Sequence, residues 1–393
     1  MRALVRSMTI ELPSHIDQLR DTLRRFAERH MPRREAARWD KENTFPRNVF
    51  EELAALGVMG STIPEEFGGT GRDILATLVT IEELSRRSLA ISVPYIMCAC
   101  YAGMNILECG SERQKADFLP RIAAGKLIFA YGWTEADTGA DLASVKTTGR
   151  IEGDELVING SKRFCSGSEI CDYIYALIRT GEQGERYKNL SIVLIPPDSP
   201  GVEIQPIESM GMKGARTTDV SFTDVRVPLE NIVGEQDGFN RGWGMITSSG
   251  LDVEKLEVAA IALGIAEAAC DDAWEYSETR KQFGATISTF QSIRHQLAEM
   301  KTQLHVARLA TYHAAMLSDR EAPRRVETSM TKLFVTEAAK KVVLDAQSIF
   351  GAYGYVRDFD IERNVRDVLL MPIIGGSSAV QRNNIANWLG LAR

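Results

Sequence analysis

The run Glu155-Leu-Val-Ile-Asn-Gly160 is a short apolar segment that ends in turn residues. Similar runs follow along the chain: Tyr173-Ile-Tyr-Ala-Leu-Ile178, Leu190-Ser-Ile-Val-Leu-Ile195 and Asp219-Val-Ser-Phe-Thr-Asp-Val-Arg-Val227. Regular spacing of such runs predicts a small β-barrel or sandwich over residues 131–240. No helix-length periodic segment interrupts them, so we do not expect a doubly wound parallel sheet.

Helical periodicity flanks this middle β domain. In residues 1–130, an amphipathic stripe that ends before Pro32 is formed by Ile16, Leu19, Leu23 and Phe26, and helical patterns recur at 48–56 and 75–87. In residues 241–393, two long stripes comprise Phe290, Ile293, Leu297, Met300 and Leu304, then Met330, Phe334, Ala338 and Val342. Long helices with short connections indicate a bundle of about four. The predicted fold is mainly α, with a helical N-terminal domain, a middle β domain and a C-terminal four-helix bundle.

Composition narrows the class of protein. The 393-residue chain carries a net charge of −7, from 53 acidic and 46 basic residues mixed along its length, which argues against binding nucleic acid or an anionic membrane. The six cysteines show no CxxC spacing, which favours reduced thiols in the cytoplasm. The first eight residues have too short an apolar core for a signal peptide. No run approaches the roughly 18 apolar residues of a membrane span.

Several familiar catalytic motifs are absent from the sequence. It contains no P-loop, no G-x-G-x-x-G between a strand and a helix, and no G-x-S-x-G elbow. The five histidines form no metal-ligand pattern, so no metal site is expected. Asp137-Thr-Gly-Ala140 resembles half of an aspartic protease site, but that chemistry needs a second carboxylate and no second Asp-Thr-Gly occurs. A loop at the head of the β domain is the simpler interpretation.

Four stretches matter when they are considered together. They are Tyr131-Gly-Trp-Thr-Glu-Ala-Asp-Thr-Gly-Ala-Asp141, Asn159-Gly-Ser-Lys-Arg-Phe-Cys-Ser-Gly167, Arg280-Lys-Gln-Phe-Gly284 and Phe350-Gly-Ala-Tyr-Gly-Tyr355. Singly, each is explained by local structure, as a turn, a hairpin or a helix cap. In this order and with this spacing they resemble the acyl-CoA dehydrogenase flavoprotein family. The resemblance extends from Ile63-Pro-Glu-Glu-Phe-Gly-Gly69 to Gln381-Arg382 and implies the same three-domain fold.

The resemblance implies FAD as cofactor and a homo-oligomer, a tetramer or a dimer, in which bundle residues reach the flavin of a neighbouring subunit. The implied cofactor contacts in the β domain are Tyr131, Trp133, Thr134, Phe164 and Ser166. Those in the bundle are Arg280, Gln282, Phe283, Gln291, Gly351 and Ser377. An aromatic ring can stack on the isoalloxazine, and arginine can bind the pyrophosphate in a bidentate manner.

The sequence also departs from the family pattern. In the loop Thr134–Asp141, Ala136 replaces a proline, Asp137 a glycine, and Ala140 a serine that helps to hold the CoA moiety. The resemblance therefore implies an acyl-CoA thioester as substrate, with an acyl-carrier-protein thioester as the alternative. The Gln-x-x-Gly-Gly element is degraded, because Gln347 is shifted by one position and Ala352 replaces a glycine.

The position of the catalytic base is the decisive departure. Many family members carry a glutamate near the C-terminus, where this chain has Gly375, and glycine cannot accept a proton. The isovaleryl- and long-chain-type enzymes place the base on a bundle helix, in a segment that resembles Leu251-Asp-Val-Glu254-Lys-Leu256. Glu254 falls on a stripe with Val258, Ile261 and Ile265, and an apolar pocket would raise its proton affinity. The alternative is that Glu254 is an ordinary helix-end acid.

The implied reaction is removal of an α-proton by Glu254 and of a β-hydride by the flavin, which gives a 2-enoyl thioester. The resemblance implies that the backbone N–H of Gly375 holds the enolate-like oxygen. The implied substrate contacts are Ala140, Asp252, Tyr95 and Tyr101, where the two tyrosines indicate a short or polar acyl group. An electron-transfer flavoprotein is the implied acceptor. The alternatives are a flavin monooxygenase or oxidase on the same fold and a non-catalytic binding protein.

Overall fold

The computed structural model of the chain describes residues 12–320 and 324–391. They form two compact units. One, here called the sheet unit, comprises Ala36–Asp73 and Leu89–Glu254. The other, here called the bundle unit, comprises the chain up to Glu35, then Ile74–Ser88, then Lys255 onward. The N-terminal helices, which the sequence groups in one domain, are thus shared between the two units.

The helices before the sheet are α1 Ser14–His30, α2 Arg33–Glu42, α3 Arg47–Ala54, α4 Ile74–Ser85, α5 Leu89–Tyr95, α6 Gly103–Cys109 and α7 Glu112–Ala123. A π-helical segment, Ile96–Ala102, joins α5 to α6. The strands of the sheet are β1 Phe129–Gly132, β2 Thr148–Glu152, β3 Glu155–Ser166, β4 Tyr173–Arg179, β5 Leu190–Ile195, β6 Val202–Pro206 and β7 Thr217–Pro228.

After the sheet come α8 Glu235–Gly238, α9 Gly242–Ile246 and α10 Ser249–Thr279. A small hairpin follows, β8 Lys281–Gln282 and β9 Ala285–Thr286. The chain then continues through α11 Gln291–Asp319, α12 Arg325–Phe350, α13 Ile361–Val368 and α14 Ser378–Trp388. The order helical, β, helical confirms the predicted fold class.

The sheet has the order β1-β4-β2-β3-β7-β6, with β5 paired to β4. Both faces are buried at β4 and β5. On β4, Tyr175 and Leu177 belong to one apolar cluster, whereas Ile174, Ala176 and Ile178 belong to the cluster on the opposite side. Because side chains alternate across a strand, a strand covered on both faces is apolar throughout, which explains the continuous apolar runs at β4 and β5.

The sequence Asn159-Gly160 lies in the middle of β3, so the prediction that these turn residues end the apolar run is wrong, although β3 does form an antiparallel hairpin with β2. β3 continues through it as an antiparallel partner of β7, and the register shifts between Ile158 and Gly160. The Asn159 amide compensates for this bulge, since it donates to Asp224 Oδ1 at 2.9 Å and accepts from the Asp224 N–H at 3.0 Å. Asn-Gly pairs favour bulges as well as turns, so the local pattern could not decide between them.

Gly160 is required at this bulge for two reasons. Its φ is 139°, and a Cβ atom there would lie 2.7 Å from Thr147 Cα. We expect Gly160→Ala to lower the free energy of unfolding by about 1–3 kcal/mol, as overpacking against backbone does. Urea unfolding measures this, with Gly139→Ala as the control, because a Cβ at Gly139 meets nothing within 4 Å. Equal stability of the two variants would contradict the assigned clash.

Buried charges join the helices of the bundle unit. Glu82 on α4 accepts from the Tyr312 hydroxyl at 2.6 Å and from Arg308 at 2.9 Å, both on α11. Arg24 on α1 binds Glu83 through bonds of 2.9 and 3.1 Å. Burial raises the pKa of Glu82, but the positive charges around it outweigh burial and hold that pKa below its usual value. The Glu82 carboxylate therefore stays ionised and ties α4 to α11, while the bonds of Glu83 tie α4 to α1.

Two predicted apolar stripes differ from the structure. Met330 and Phe334 on α12 are 44% and 41% exposed, while the next residues, including Val335, Ala339 and Val343, are buried. α10 is buried on nearly every side rather than along one stripe, since Leu256, Ala260 and Leu263 are as buried as Val258 and Ile261. The stripe therefore does not single out Glu254 on α10.

The prediction that no run is long and apolar enough to span a membrane is wrong for the segment Leu89–Cys109. It is 21 residues long and meets that requirement by length and composition. Its most apolar part is 94% buried inside the protein, as is typical of the core helix of a globular domain. It is the part of the sheet unit that carries Tyr95 and Tyr101.

Candidate active site

A buried ion pair fixes the loop Thr134–Asp141 in the sheet unit. The Glu135 carboxylate accepts from Lys162 Nζ at 2.8 Å, and from the backbone N–H groups of Lys146 and Thr147 at 2.6 and 2.9 Å. Lys162 is fully buried and also reaches the Trp133 carbonyl oxygen at 3.4 Å. Glu135 and Lys162 were not among the predicted site residues, because a polarity pattern does not show that a lysine in a strand is buried.

The electrostatics of this pair follow from its surroundings. Burial raises the pKa of Glu135, but Lys162 and the two backbone N–H donors outweigh burial, so the pKa lies below its usual value. Burial lowers the pKa of Lys162, and the neighbouring Glu135 carboxylate opposes that effect. Each charge is retained because the other is present.

Tyr131 and Trp133, two predicted flavin contacts, belong to an aromatic cluster. The Tyr131 ring lies 4.7 Å from Trp133, 5.2 Å from Tyr175 and 4.6 Å from Tyr101. The structure thus brings the predicted substrate residue Tyr101 against a predicted cofactor residue. Tyr101 lies in the π-helical segment, a distortion that is frequent at functional sites. The sequence missed Tyr175, which looks like any other buried strand residue.

Phe164 and Ser166 lie at the end of β3. Phe164 has a φ of +62° and is 56% exposed, with the Arg163 guanidinium 5.0 Å from the centre of its ring. A positive φ is unfavourable for a bulky residue and marks ligand sites more often than other surfaces. The Ser166 hydroxyl is within 3.2 Å of the Thr217 hydroxyl. The Thr134 carbonyl accepts from the Arg163 N–H at 2.8 Å, which ties the loop to this strand end.

The remaining predicted substrate residues in the sheet unit differ in exposure. Ala140 is exposed in the loop, and its neighbour Asp141 pairs with Arg186. Asp137 pairs with Lys146 at 2.9 Å on the surface, which agrees with a loop rather than a protease site. Tyr95 is fully buried, and its hydroxyl contacts Ser61 and the Val58 carbonyl, so it presents no surface to an acyl chain in this structure.

Three carboxylates lie in the first turns of α10. Asp252 and Glu257 are buried, whereas Glu254 is half-buried. Lys255 is buried too, with its ammonium 4.7 Å from the centre of the Trp388 ring. Among these carboxylates, Glu254 is thus the one whose side chain is partly accessible from outside the protein.

In the bundle unit, the β8–β9 hairpin presents the predicted adenosine contacts. Phe283, at its tip, is 96% exposed and has a φ of +50°. Gln282 and Gln291 are exposed as well. Arg280, at the end of α10, lies with its guanidinium 5.6 Å from the centre of the Tyr353 ring. A large aromatic residue held in an unfavourable conformation and left uncovered indicates a surface that receives a ligand or another chain.

The turn after α12 carries Gly351, where a Cβ would meet nothing within 4 Å, so a ligand can approach the backbone. Gln347 is engaged with that turn, since its amide donates to the Gly354 carbonyl at 3.0 Å. Near the C-terminus, Gly375 has a φ of +60°. The hydroxyl of Ser377 caps α14 and accepts from the Val380 N–H at 3.4 Å.

The residues present fit FAD. In the sheet unit, the Trp133 indole N–H is buried and has no acceptor within the described part of the chain, and Phe164 offers an exposed ring. In the bundle unit, the Arg280 guanidinium can bind a phosphate and the exposed Phe283 ring can stack on an aromatic ring. The open backbone at Gly351 leaves space for a ligand to approach closely. A bound dinucleotide could accept a hydrogen bond from the Trp133 indole N–H and could cover the exposed rings of Phe164 and Phe283.

Comparison with known proteins identifies the class. The chain matches the sequence models of the acyl-CoA dehydrogenase N-terminal domain over residues 13–126, the middle domain over 130–225 and the C-terminal domain over 240–390. It is 35% identical to the mitochondrial short-chain specific acyl-CoA dehydrogenase of Homo sapiens, covering 97% of this chain and 91% of that protein.

Two further comparisons agree. The chain is 33% identical to a caffeyl-CoA reductase–Etf complex subunit of Acetobacterium woodii, covering 94% of this chain and 97% of that protein. It superimposes on butyryl-CoA dehydrogenase from Megasphaera elsdenii with a TM-score of 0.91 and 29% identity, covering 97% of this chain and 99% of the other.

The fold and these contact groups define an FAD-dependent oxidoreductase. The chain belongs to the acyl-CoA dehydrogenase family. It is therefore an enzyme that uses FAD to oxidise an acyl thioester between its α- and β-carbons.

Proposed function

We propose that this dehydrogenase takes its catalytic base from α10, where the carboxylate of Glu254 accepts the α-proton of an acyl-CoA. The observation that carries this proposal is Gly375, which has no side chain at the position where the resemblance places the base of many family members. Removing an α-proton from a thioester requires a positioned base, and a carboxylate in an apolar setting is suited to the task. The isovaleryl- and long-chain-type arrangement meets this requirement from α10.

The accessibility of the acids in α10 supports the choice of Glu254. Asp252 and Glu257 are buried, whereas Glu254 is half-buried and can meet a ligand without unfolding the helix. Asp252 lies two residues away and stays a candidate for orienting the substrate.

The α-carbon loses its proton to Glu254, the hydrogen of the β-carbon leaves as a hydride, and a double bond forms between the two carbons. Bound FAD supplies the two-electron acceptor for that hydride. The resemblance implies that the Gly375 N–H donates to the thioester oxygen, which gains negative charge as the proton leaves. Tyr131, Trp133 and Phe164 are proposed to hold the ring system, and Arg280 the pyrophosphate.

Anaerobic mixing of the oxidised holoenzyme with saturated acyl-CoA esters of increasing chain length tests the proposed reaction. We expect loss of the oxidised flavin absorbance without any added reductant, because the thioester itself donates the electrons. A flavin that bleaches only when an external reductant is added would contradict the proposal and favour a monooxygenase. Purified protein that takes up no FAD would favour a binding protein.

A homo-oligomer is part of the proposal. The bundle unit exposes large apolar side chains, namely Phe283, Met330, Phe334, Tyr355, Ile373 and Leu389. Exposed apolar groups on this scale are typical of surfaces that are covered by another chain. A tetramer or a dimer would cover them, and would allow the hairpin that carries Phe283 to reach the flavin of a neighbouring subunit.

The proposed electron acceptor is an electron-transfer flavoprotein. The caffeyl-CoA reductase relative, 33% identical, is a subunit of a complex with such a protein. We expect a purified electron-transfer flavoprotein to reoxidise the substrate-reduced enzyme faster than oxygen does.

A further inference from the structure

Lys162, the buried lysine of strand β3, contacts two acceptors at the start of the loop Thr134–Asp141. Its ammonium nitrogen lies 2.8 Å from Glu135 Oε1 and 3.4 Å from the Trp133 carbonyl oxygen. The side chain is fully buried, and within residues 12–320 and 324–391 it has no further hydrogen-bond acceptor. One charged group thus holds a carboxylate and the backbone carbonyl two residues before it.

The peptide unit between Trp133 and Thr134 takes its direction from this contact. In a trans peptide the C=O and the N–H point in opposite directions, and no peptide bond in the described chain is cis. The carbonyl of this unit belongs to Trp133, and its N–H belongs to Thr134. Because the Trp133 carbonyl faces the Lys162 ammonium, the Thr134 N–H points away from Lys162.

The next peptide unit, between Thr134 and Glu135, is bonded at both ends. The Thr134 carbonyl accepts from the Arg163 N–H at 2.8 Å, and the Glu135 N–H donates to the Thr138 carbonyl at 3.0 Å. The polar groups of the two peptide units that meet at Thr134 are therefore bonded within the protein, with one exception. That exception is the Thr134 N–H, which meets no acceptor among the described residues.

A second donor at this position also lacks an acceptor. The indole N–H of Trp133 is buried and has no hydrogen-bond partner within the part of the chain that the structure describes. Thr134 is half-buried, so a ligand can contact it. Buried donors in folded proteins almost always have an acceptor, so an unmatched one indicates an acceptor that a ligand supplies.

We propose that Lys162 is a positioning residue for the cofactor, which directs the Thr134 N–H to an acceptor atom of the flavin ring and strengthens it as a donor. The ammonium draws electron density from the Trp133 carbonyl, and hydrogen bonds in series polarise one another. The flavin ring gains electrons on reduction, so a stronger donor favours reduced over oxidised flavin. Glu135 neutralises Lys162 and keeps its side chain in place.

This inference rests on the proposed function, in which Trp133 helps to hold the ring system of the flavin. Lys162 is fully buried by the protein and acts through the peptide unit of Trp133 and Thr134. It therefore positions a contact rather than making one.

The reduction potential of the bound flavin tests this role. Glu135→Leu combined with Lys162→Met removes one charge of each sign, so the net charge near the loop is unchanged while the contact with the Trp133 carbonyl is lost. We expect the affinity for reduced flavin to fall about tenfold relative to that for oxidised flavin, a potential about 30 mV more negative for a two-electron couple. Anaerobic equilibration with a reference dye measures this potential without any acyl thioester.

Lys162→Met alone is the second variant. It retains the Glu135 carboxylate together with its bonds from the N–H groups of Lys146 and Thr147. We expect its potential to shift in the same direction, because the Trp133 carbonyl again loses the ammonium.

Asp137→Asn combined with Lys146→Met is the matched control. These two side chains also form an ion pair, at 2.9 Å, but both are exposed. The control likewise removes one charge of each sign, and it retains the backbone N–H of Lys146 that binds Glu135. Its flavin should have the potential of the parent enzyme.

Hydrogen exchange of the cofactor-free protein shows whether the loop itself persists. The Arg163 and Glu135 amides are bonded to the Thr134 and Thr138 carbonyls, so their exchange reports on the loop without any flavin. We expect these two amides to exchange in the Lys162 variants as they do in the parent. A shifted potential in a loop that is still closed is the result that a merely structural role would not give.

The outcomes separate this role from the proposed function. Parent enzyme that binds FAD but is not reduced by an acyl-CoA overturns the proposed function, and its potential can still be compared with those of the variants. Equal potentials in the parent and in both Lys162 variants overturn the positioning role. Faster exchange of the Arg163 and Glu135 amides, or loss of the folded state, in both variants also overturns it, because the pair would then serve stability alone.

Discussion

Replacing Glu254 by Gln is expected to lower the rate at which a bound acyl-CoA reduces the flavin by roughly 10²–10⁴-fold, the usual contribution of a positioned base. The change preserves the size of the side chain and one acceptor oxygen but removes the ability to accept a proton. Because Gly375 offers no side chain, no carboxylate at that position can replace the lost base. Stopped-flow spectroscopy under anaerobic conditions measures the rate of flavin reduction directly.

Glu275→Gln is the control for this experiment. Glu275 lies on the same helix, α10, but it is exposed near the far end. We expect this variant to reduce its flavin at the parent rate. The assignment of Glu254 fails if its Gln variant stays within about tenfold of the parent, because a helix-end acid would have no larger effect.

The second large effect concerns the buried pair of Glu135 and Lys162. We expect Glu135→Gln to lower the free energy of unfolding by roughly 3–5 kcal/mol, because it leaves the Lys162 ammonium buried without its counter-charge. The two backbone N–H groups that bind the carboxylate also lose a charged acceptor. Urea unfolding of the holoenzyme at neutral pH measures the loss.

Lys146→Met gives the surface comparison. Lys146 pairs with Asp137, but both side chains are exposed, and we expect the free energy of unfolding to stay close to that of the parent protein. Glu135→Leu combined with Lys162→Met should recover part of the stability, because neither charge then stays buried alone. Similar losses from Glu135→Gln and Lys146→Met would contradict the importance of burial.

The pH dependence of stability follows from the same pair. The folded protein holds the pKa of Glu135 below its ordinary value, so its contribution is present above the ordinary carboxyl pKa. That contribution is lost as the pH falls through the lowered folded-state value. Parent protein should therefore lose more stability on acidification than Glu135→Gln does. Parallel curves for the two proteins would place the pKa of Glu135 at its unfolded value.

Much of the fold could be predicted from local patterns. The helical stripe from Ile16 to Phe26 lies in α1, and the apolar runs at 173–178 and 190–195 are strands β4 and β5. Each of these segments has one dominant hydrophobic period or an uninterrupted apolar run, and the faces that are buried in the structure are the ones that this pattern predicts. Asn159-Gly160 was misassigned because a bulge and a hairpin turn favour the same residues, and only the pairing of β3 with β7 decides between them.

Exposure was less predictable than secondary structure. Met330 and Phe334 lie on α12 as expected, but their side chains are partly exposed. Helical periodicity predicts an apolar face, but it does not tell whether that face packs within the chain or against another chain. α10 shows the opposite case, since it is buried nearly all round and has no distinct stripe. Sequence alone cannot separate a core from a surface that another chain covers.

For the site, the sequence was informative where a motif needs unusual residues. The stretches that contain Tyr131, Phe164 and Phe283 could be found because aromatic residues beside glycines recur in a fixed order. Lys162 could not be found in this way, because its role depends on its burial and on a carboxylate far away in sequence, and only the structure provides both.

The most direct test of the central claim is exchange of the substrate α-proton with D₂O solvent. Bound to the parent enzyme, a saturated acyl-CoA should acquire deuterium at its α-carbon, because Glu254 removes and returns the proton before the hydride leaves. We predict that Glu254→Gln, with FAD bound, shows no such exchange above the rate in solution. Exchange at the parent rate in that variant would contradict the account, because another group would then be the base.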